Sequence, residues 1–143
     1  MKLNQCNLLV DFRFNSVQDS SMTVKILTFD SIEEFSVIND VVKFKKNINL
    51  PTKVQIEFFG KNMNLDTVLD NNGNIIADKN VIIENIFLDN IPIPNWCLSK
   101  FICLVTTENQ KIYTNYIGHN GFVKLDFCHS DVFRQLMSFQ RLR

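Results

Sequence analysis

The sequence predicts an all-β fold, a jelly-roll-like β-sandwich of about eight strands with a short C-terminal helix. The first observation is a recurrent alternation of apolar and polar residues, which places every second side chain on one face of a strand. The second is that turn residues separate these runs at roughly regular intervals, as they do in sandwiches. The third is composition, because thirteen Phe against four Gly favour a core of large rings and β-branched side chains.

The alternating runs give eight or nine predicted strands. They span 7–14, 23–29, 35–38, 41–50, 53–59, 81–88, 100–106, 111–116 and 122–127. The alternation in the first run places two sets of side chains on opposite faces: Leu8, Val10, Phe12 and Phe14 on one, Asp11 and Arg13 on the other. The apolar residues of 100–106 are continuous, so periodicity leaves open a strand buried on both faces or a buried helix.

Two segments lack the strand pattern. Pro92 and Pro94 in the segment 91–100 predict a loop or a sheet edge, because proline donates no hydrogen bond to a strand ladder. The segment 130–143 places apolar residues at helical spacing behind a Ser-Asp start, which predicts the short C-terminal helix.

Size and charge narrow the class of protein. A chain of 143 residues predicts a single domain over 1–143. Fifteen basic and fifteen acidic residues cancel, whereas nucleic-acid binders usually carry a basic excess, so we expect no nucleic-acid partner. The sequence contains no run of about eighteen apolar residues, so we expect no membrane span. The four scattered cysteines lie beside apolar runs without zinc-site spacing, so we expect reduced thiols in a protein made in a cytoplasm.

The segment LDTVLDNNGNIIADKN, residues 65–80, is the most distinctive stretch of the chain. Carboxylate and amide oxygens are ligands for calcium, so the segment is a candidate calcium site. The candidate ligands are Asp66, Asp70, Asn72 and Asp78. An EF-hand is excluded, because Gly73 stands at position 4 rather than 6 and Val81 occupies position 12. The alternative is a tight turn between strands, for which Asn72-Gly73 is a strong signal. Both remain open, and the predicted cofactor is either none or calcium.

The second candidate site combines Trp96, on the predicted loop, with two tyrosines of the predicted strand 111–116. Trp96, Tyr113 and Tyr116 could offer rings on which a sugar stacks, with His119 beside them. The alternative is that Trp96 covers one end of the core, as aromatic side chains usually do.

Residues for catalysis are scarce, and we expect that the protein is not an enzyme. The two histidines are His119, in a Gly/Asn turn, and His129. Cys128 and His129 are adjacent, so in an extended chain they point to opposite faces and form no dyad. The sequence has neither a nucleophile elbow nor a glycine-rich phosphate loop, and nothing singles out a pair of acidic residues.

Two longer segments carry a resemblance to known proteins. VQIEFFGKNMNLDTVLDNNGNIIADKNVIIENIFLDNIPI followed by YTNYIGHNGFVKLDF resembles small virion-associated β-sandwich proteins of tailed bacteriophages, especially marine ones. The strand-loop-strand core is also similar to calcium-dependent xylan-binding modules, whose jelly rolls bind sugar hydroxyls through a loop-held ion. The resemblance covers roughly residues 54–138. It places Asp66, Asp70 and Asp78 at the acidic loop positions, while three Asn residues reduce the charge of this loop.

The resemblance leads to two functional hypotheses. The first is a non-enzymatic assembly protein of a phage particle, made in the bacterial cytoplasm, that contacts other virion proteins or further copies of itself. The second is a calcium-assisted carbohydrate-binding module that recognises a host-surface glycan.

Overall fold

The computed structural model describes residues 5–62 and 65–127, which form thirteen strands and one helix. In chain order the strands are β1 Gln5–Asn15, β2 Thr23–Leu27, β3 Ile32–Phe35, β4 Val41–Asn49, β5 Thr52–Phe59, β6 Thr67–Leu69, β7 Ile75–Asp78, β8 Asn80–Leu88, β9 Ile91–Pro92, β10 Cys103–Thr106, β11 Lys111–Tyr113, β12 Tyr116–Ile117 and β13 Gly121–Phe127. The helix α1 is Asn95–Phe101. The predicted C-terminal helix lies outside the described residues.

Two antiparallel sheets form a β-sandwich, which confirms the predicted fold class. One sheet has the order β12-β8-β1-β4, with β9 paired to β8. The other has the order β11-β10-β13-β5-β2-β3. The buried side chains of both sheets belong to a single hydrophobic cluster, so the core is the space between the two sheets. The hairpin of β6 and β7 forms a separate two-stranded sheet.

The alternation along β1 sets the inner face of its sheet, as the sequence predicts. Leu8, Val10, Phe12 and Phe14 are each at most 1% exposed. Asp11 lies on the opposite face, yet it is only 4% exposed, because side chains of the neighbouring strands lie against it. Its carboxylate accepts hydrogen bonds from Lys43 Nζ at 3.3 Å and Asn85 Nδ2 at 3.0 Å.

An irregularity in β8 keeps apolar residues on the inner face. The register against β1 shifts between the pairs Asp11–Asn85 and Phe12–Ile83, so Glu84 is an extra residue in β8. Both Ile83 and Ile86 are therefore fully buried, although they are three residues apart in sequence.

The segment 100–106 departs from the strand prediction at its beginning. Residues up to Phe101 belong to α1, and β10 begins only at Cys103. The helix follows directly on Pro94. Proline suits the start of a helix because the first N–H groups of a helix have no acceptor within it, so the absent N–H of proline costs no hydrogen bond. Leu98 of this helix and Ile102, which follows the helix, are buried in the core.

The predicted strand 35–38 is also displaced. β3 begins earlier, at Ile32, because Thr28 and Ser31 close a tight turn through a 2.9 Å backbone hydrogen bond and bring Leu27 opposite Ile32.

Two further sequence predictions concern cysteines and membrane spans. Cys6 and Cys103, the cysteines whose side chains are described, are free thiols. Among the described residues, no helix has the length and apolar character that a membrane span requires.

Candidate functional site

The candidate site lies at the end of the sandwich where β5 and β7 finish and β8 and the β12–β13 turn begin. Lys61 follows the last residue of β5 after a glycine, and Asp78 is the last residue of β7. The turn after β12 is joined to this end by a reciprocal pair of hydrogen bonds. The Asn120 side chain accepts from the Lys61 amide at 3.0 Å and donates to the Lys61 carbonyl at 2.8 Å.

The carboxylate of Asp78 is the centre of the site. Its Oδ1 accepts hydrogen bonds from Lys61 Nζ at 2.6 Å and from Thr67 Oγ1 at 2.7 Å. Its Oδ2 accepts a short hydrogen bond from the hydroxyl of Tyr116. The Asp78 and Lys61 side chains are only 10% and 2% exposed, so this ion pair is formed inside the protein.

These contacts shift the pKa values of both acidic partners. Burial raises the pKa of Asp78, but hydrogen bonds from Lys61, Tyr116 and Thr67 outweigh burial and bring the pKa below its ordinary value of 3.8. Burial, together with the hydrogen bond to Asp78 and the charge of Asp78, raises the pKa of Tyr116 to about 12. The carboxylate is therefore ionised and the phenol protonated across the physiological pH range.

Two asparagines continue the network into the sheet. Asn80 Nδ2 donates to the hydroxyl oxygen of Tyr116 at 2.9 Å and to the carbonyl of Asp78 at 3.0 Å. Asn15 Nδ2 in turn donates to Asn80 Oδ1 at 2.9 Å. The Tyr116 ring is thus fixed at its hydroxyl end, while 44% of the residue is exposed.

A second buried lysine lies beside this network. Lys79 Nζ donates to Ser20 Oγ and to the Gly60 carbonyl, both at 2.8 Å, and lies 3.4 Å from Asp66 Oδ2. The same Asp66 oxygen accepts from the amide of Asn62 at 2.7 Å. Lys79 is 4% exposed, and the carboxylate of Asp66 balances its charge within the protein.

A hollow of about 450 Å³ opens above Asp78 and Tyr116. Its lining consists of Lys61, Thr67, Ile75, Asp78, Leu104, Ile112, Thr114, Tyr116, Gly118 and His119. Its volume lies within the roughly 300–1,000 Å³ typical of small-molecule sites. Gly118 keeps the floor open, since a Cβ at this position would lie 3.1 Å from the Tyr116 ring.

The predicted calcium ligands divide into two groups. Asp66 and Asp78 lie at the base of the β6–β7 hairpin, where Thr67 and Asp78 are paired. Asp70 and Asn72 lie at its tip. There the Asp70 carboxylate accepts from the amides of Asn72 and Asn74, both at 2.9 Å, and these hydrogen bonds hold the pKa of Asp70 below its ordinary value. The tip is a tight turn with Gly73 at φ +83°, which favours glycine.

The candidate calcium ligands Asp66, Asp70, Asn72 and Asp78 do not converge on one point in this structure. Calcium takes six to eight oxygens, several of them from carboxylates that converge on one point. Within the described part of the chain, no three His, Cys, Asp or Glu side chains converge in this way. The carboxylates of Asp66 and Asp78 each form an ion pair with a lysine ammonium group, and the carboxylate of Asp70 accepts hydrogen bonds within its own turn.

The three predicted sugar-stacking residues are placed differently. Tyr116 lines the hollow, together with His119. Tyr113 is 66% exposed on β11 and does not line it. Trp96 belongs to α1, and its side chain lies outside the described part of the structure.

Sequence reasoning missed Lys61, Lys79, Thr67 and Asn80. Lysines in a polar segment look like solvated charges, and their partners come from other parts of the chain. The one local signal was the run Asp78-Lys79-Asn80 at a strand junction, where three polar residues interrupt two apolar runs.

Comparisons with known proteins give structural matches only. No protein-family model and no curated protein sequence matches this chain. One similar structure is a selenomethionine form of vCBM60, described with a circular permutation that links two families of calcium-dependent carbohydrate-binding modules. It has a TM-score of 0.54 and 9% identity over 85% of this chain and 90% of its own. Another is vCBM60 in complex with galactobiose, with a TM-score of 0.52 and 10% identity over 84% of this chain and 97% of its own.

This chain has a β-sandwich fold that resembles a carbohydrate-binding module. At 9–10% identity the likeness concerns the fold alone.

Proposed function

We propose that this domain is a non-catalytic carbohydrate-binding module and that a sugar binds in the hollow above Asp78 and Tyr116. The observation that carries the proposal is the convergence of one exposed aromatic ring and several hydrogen-bonding groups on one open hollow. The fold gives independent support, because the similar structures are carbohydrate-binding modules and one was determined with galactobiose.

The chemistry of the lining suits a sugar. A pyranose ring presents apolar C–H faces and polar hydroxyl edges, and the hollow offers both kinds of surface. Ile75, Ile112 and the ring of Tyr116 provide apolar contact, while the imidazole of His119 provides hydrogen-bonding groups.

The site is also preorganised. The hydrogen bonds of Asp78 and Asn80 fix the Tyr116 hydroxyl before any ligand arrives. A ligand that meets an ordered ring loses less conformational entropy on binding, which raises its affinity.

The lining favours binding over catalysis. Glycoside hydrolysis generally uses two carboxyl groups that face the scissile bond. Asp78 is the one carboxylate among the described residues that line this hollow. Because its pKa is lowered by the contacts described above, it is a poor proton donor at neutral pH.

Protein–protein contact is a second candidate function, in keeping with the phage-assembly hypothesis from the sequence. It is favoured by the β6–β7 hairpin region, where Leu65, Leu69, Ile75 and Ile76 are each more than half exposed. Light scattering on the purified protein distinguishes self-association from a monomer. The sequence resemblance alone supports a phage particle as the place where such contacts form.

The test is affinity for a panel of soluble oligosaccharides that includes galactobiose, measured by isothermal titration. We expect one sugar class to bind the wild type and Tyr116→Ala to weaken this binding at least about tenfold, because the ring supplies the stacking surface. Tyr113→Ala is the matched control, since Tyr113 is an exposed tyrosine outside the hollow. Equal losses in the two variants, with both folded, would contradict the assignment of the site.

A further inference from the structure

The ammonium group of Lys79 lies among oxygen atoms from three separate segments. Ser20 belongs to the β1–β2 connection, Gly60 follows β5, and Asp66 precedes β6. The three contacts are a hydroxyl, a backbone carbonyl and a carboxylate, at 2.8, 2.8 and 3.4 Å. Carboxylate and carbonyl oxygens are also the groups with which proteins bind calcium between loops.

Lys61 provides a second cation at the same end of the sandwich. Its Nζ lies 2.6 Å from Asp78 Oδ1, and this oxygen also accepts from Thr67 at the start of the β6–β7 hairpin. The Lys61 and Lys79 side chains are 2% and 5% exposed, so both positive charges are enclosed by the protein.

We propose that the ammonium groups of Lys79 and Lys61 take the structural place of a bound metal ion, so that this domain holds its loops together without calcium. A divalent cation at either carboxylate would lie next to an enclosed ammonium, and like charges repel strongly where water is scarce. The chain thus differs from the calcium-dependent modules that share its fold. The inference concerns folding and does not depend on sugar binding.

Thermal unfolding of the wild-type protein in millimolar calcium and in excess EDTA tests the proposal directly. We expect the two midpoints to agree within about 1 °C. A calcium ion bound only by the folded state would raise the midpoint by several degrees at a concentration well above its dissociation constant. Such a rise would overturn the proposal, and the same experiment on Asp66→Asn and Asp78→Asn would show which carboxylate binds the ion.

Substitution of the lysine tests the other half of the claim. Lys79→Met keeps most of the aliphatic stem and removes the charge, which leaves the Asp66 carboxylate without its cation. We expect the midpoint to fall by about 10 °C. Lys46→Met is the matched control, because Lys46 pairs with Asp30 at 3.0 Å but this carboxylate is 62% exposed and keeps its water. Equal losses in the two variants would overturn the proposal.

The double variant Lys79→Met/Asp66→Asn keeps the test decisive even if the single variant does not fold. Removing the uncompensated carboxylate should recover part of the lost stability, so we expect the double variant to melt above Lys79→Met, or to fold where it does not. A double variant that is no more stable than Lys79→Met would show that the two charges are not coupled and would overturn the proposal.

Discussion

Asp78 and Lys61 form an ion pair that water can barely reach, and this pair fixes the Tyr116 ring at the edge of the hollow. A buried ion pair contributes little net stability compared with apolar residues of the same size, but removing one partner leaves an uncompensated charge. The role of the pair is therefore to position side chains, because Asp78 holds Tyr116 and Thr67, from different strands, close together.

Asp78→Asn should lower the free energy of unfolding at pH 7 by about 3–5 kcal/mol, because Lys61 would be left as a buried unpaired charge. The pKa of Asp78 is lowered in the folded state from its ordinary value of 3.8. Its contribution is thus present above about pH 4 and is lost as the pH falls through the folded-state pKa. Denaturant unfolding between pH 7 and pH 2.5 measures this dependence.

We expect the wild-type and Asp78→Asn stabilities to converge as the pH falls below about 4. Asp126→Asn controls for the loss of one negative charge, since Asp126 is an exposed residue of β13. A constant difference between wild type and Asp78→Asn across this range would contradict the assigned ion pair.

At the scale of elements, the local pattern predicted the long strands well. The alternation in β1 and β5 is strong because one face of each strand meets the core, and every residue expected inside is buried there. The helix α1 was missed because two prolines and a continuous apolar run are compatible with a loop, a strand or a helix start. The helix packs against β8 and β11, and the local sequence pattern does not contain these contacts.

The pairing of β10 with β13 requires a glycine at Gly121. A Cβ there would lie 2.2 Å from the Val105 carbonyl oxygen and 2.8 Å from Thr106 Cα, both in the neighbouring strand. We expect Gly121→Ala to lower the free energy of unfolding by about 3 kcal/mol, because backbone atoms must move apart. Chemical denaturation measures this loss.

Gly73→Ala is the matched control for Gly121→Ala. No atom lies within 4 Å of a Cβ at Gly73, so that variant should lose only about 1 kcal/mol from its positive φ angle. A Gly121→Ala protein as stable as Gly73→Ala would contradict the close strand approach described above.

At the scale of the whole molecule, the sequence predicted the sandwich but only part of the site. Asp66, Asp78, Tyr116 and His119 stood out as polar or aromatic residues in turn-rich segments, and all four lie at one end of the structure. The cations that neutralise the acidic residues did not stand out, because Lys61 and Lys79 acquire their role only when several loops meet. An acidic loop in sequence therefore predicts a charged site without telling whether its counter-charge is a metal or a lysine.

The chain and vCBM60 share a sandwich over most of both chains at 9–10% identity. Burial patterns and turn positions suffice to specify such a fold, whereas a ligand is specified by a few side chains at one end.

A sugar bound in the hollow above Asp78 and Tyr116, as we propose, would change the surroundings of the lining residues. Amide NMR spectra of isotope-labelled protein, recorded during titration with a sugar chosen from the oligosaccharide panel, test it most directly. We predict shifts clustered at Thr67, Ile75, Thr114, Tyr116 and His119, with little change on the opposite end near Pro51. Shifts that cluster elsewhere, or no binding across a broad panel of sugars, would contradict the claim.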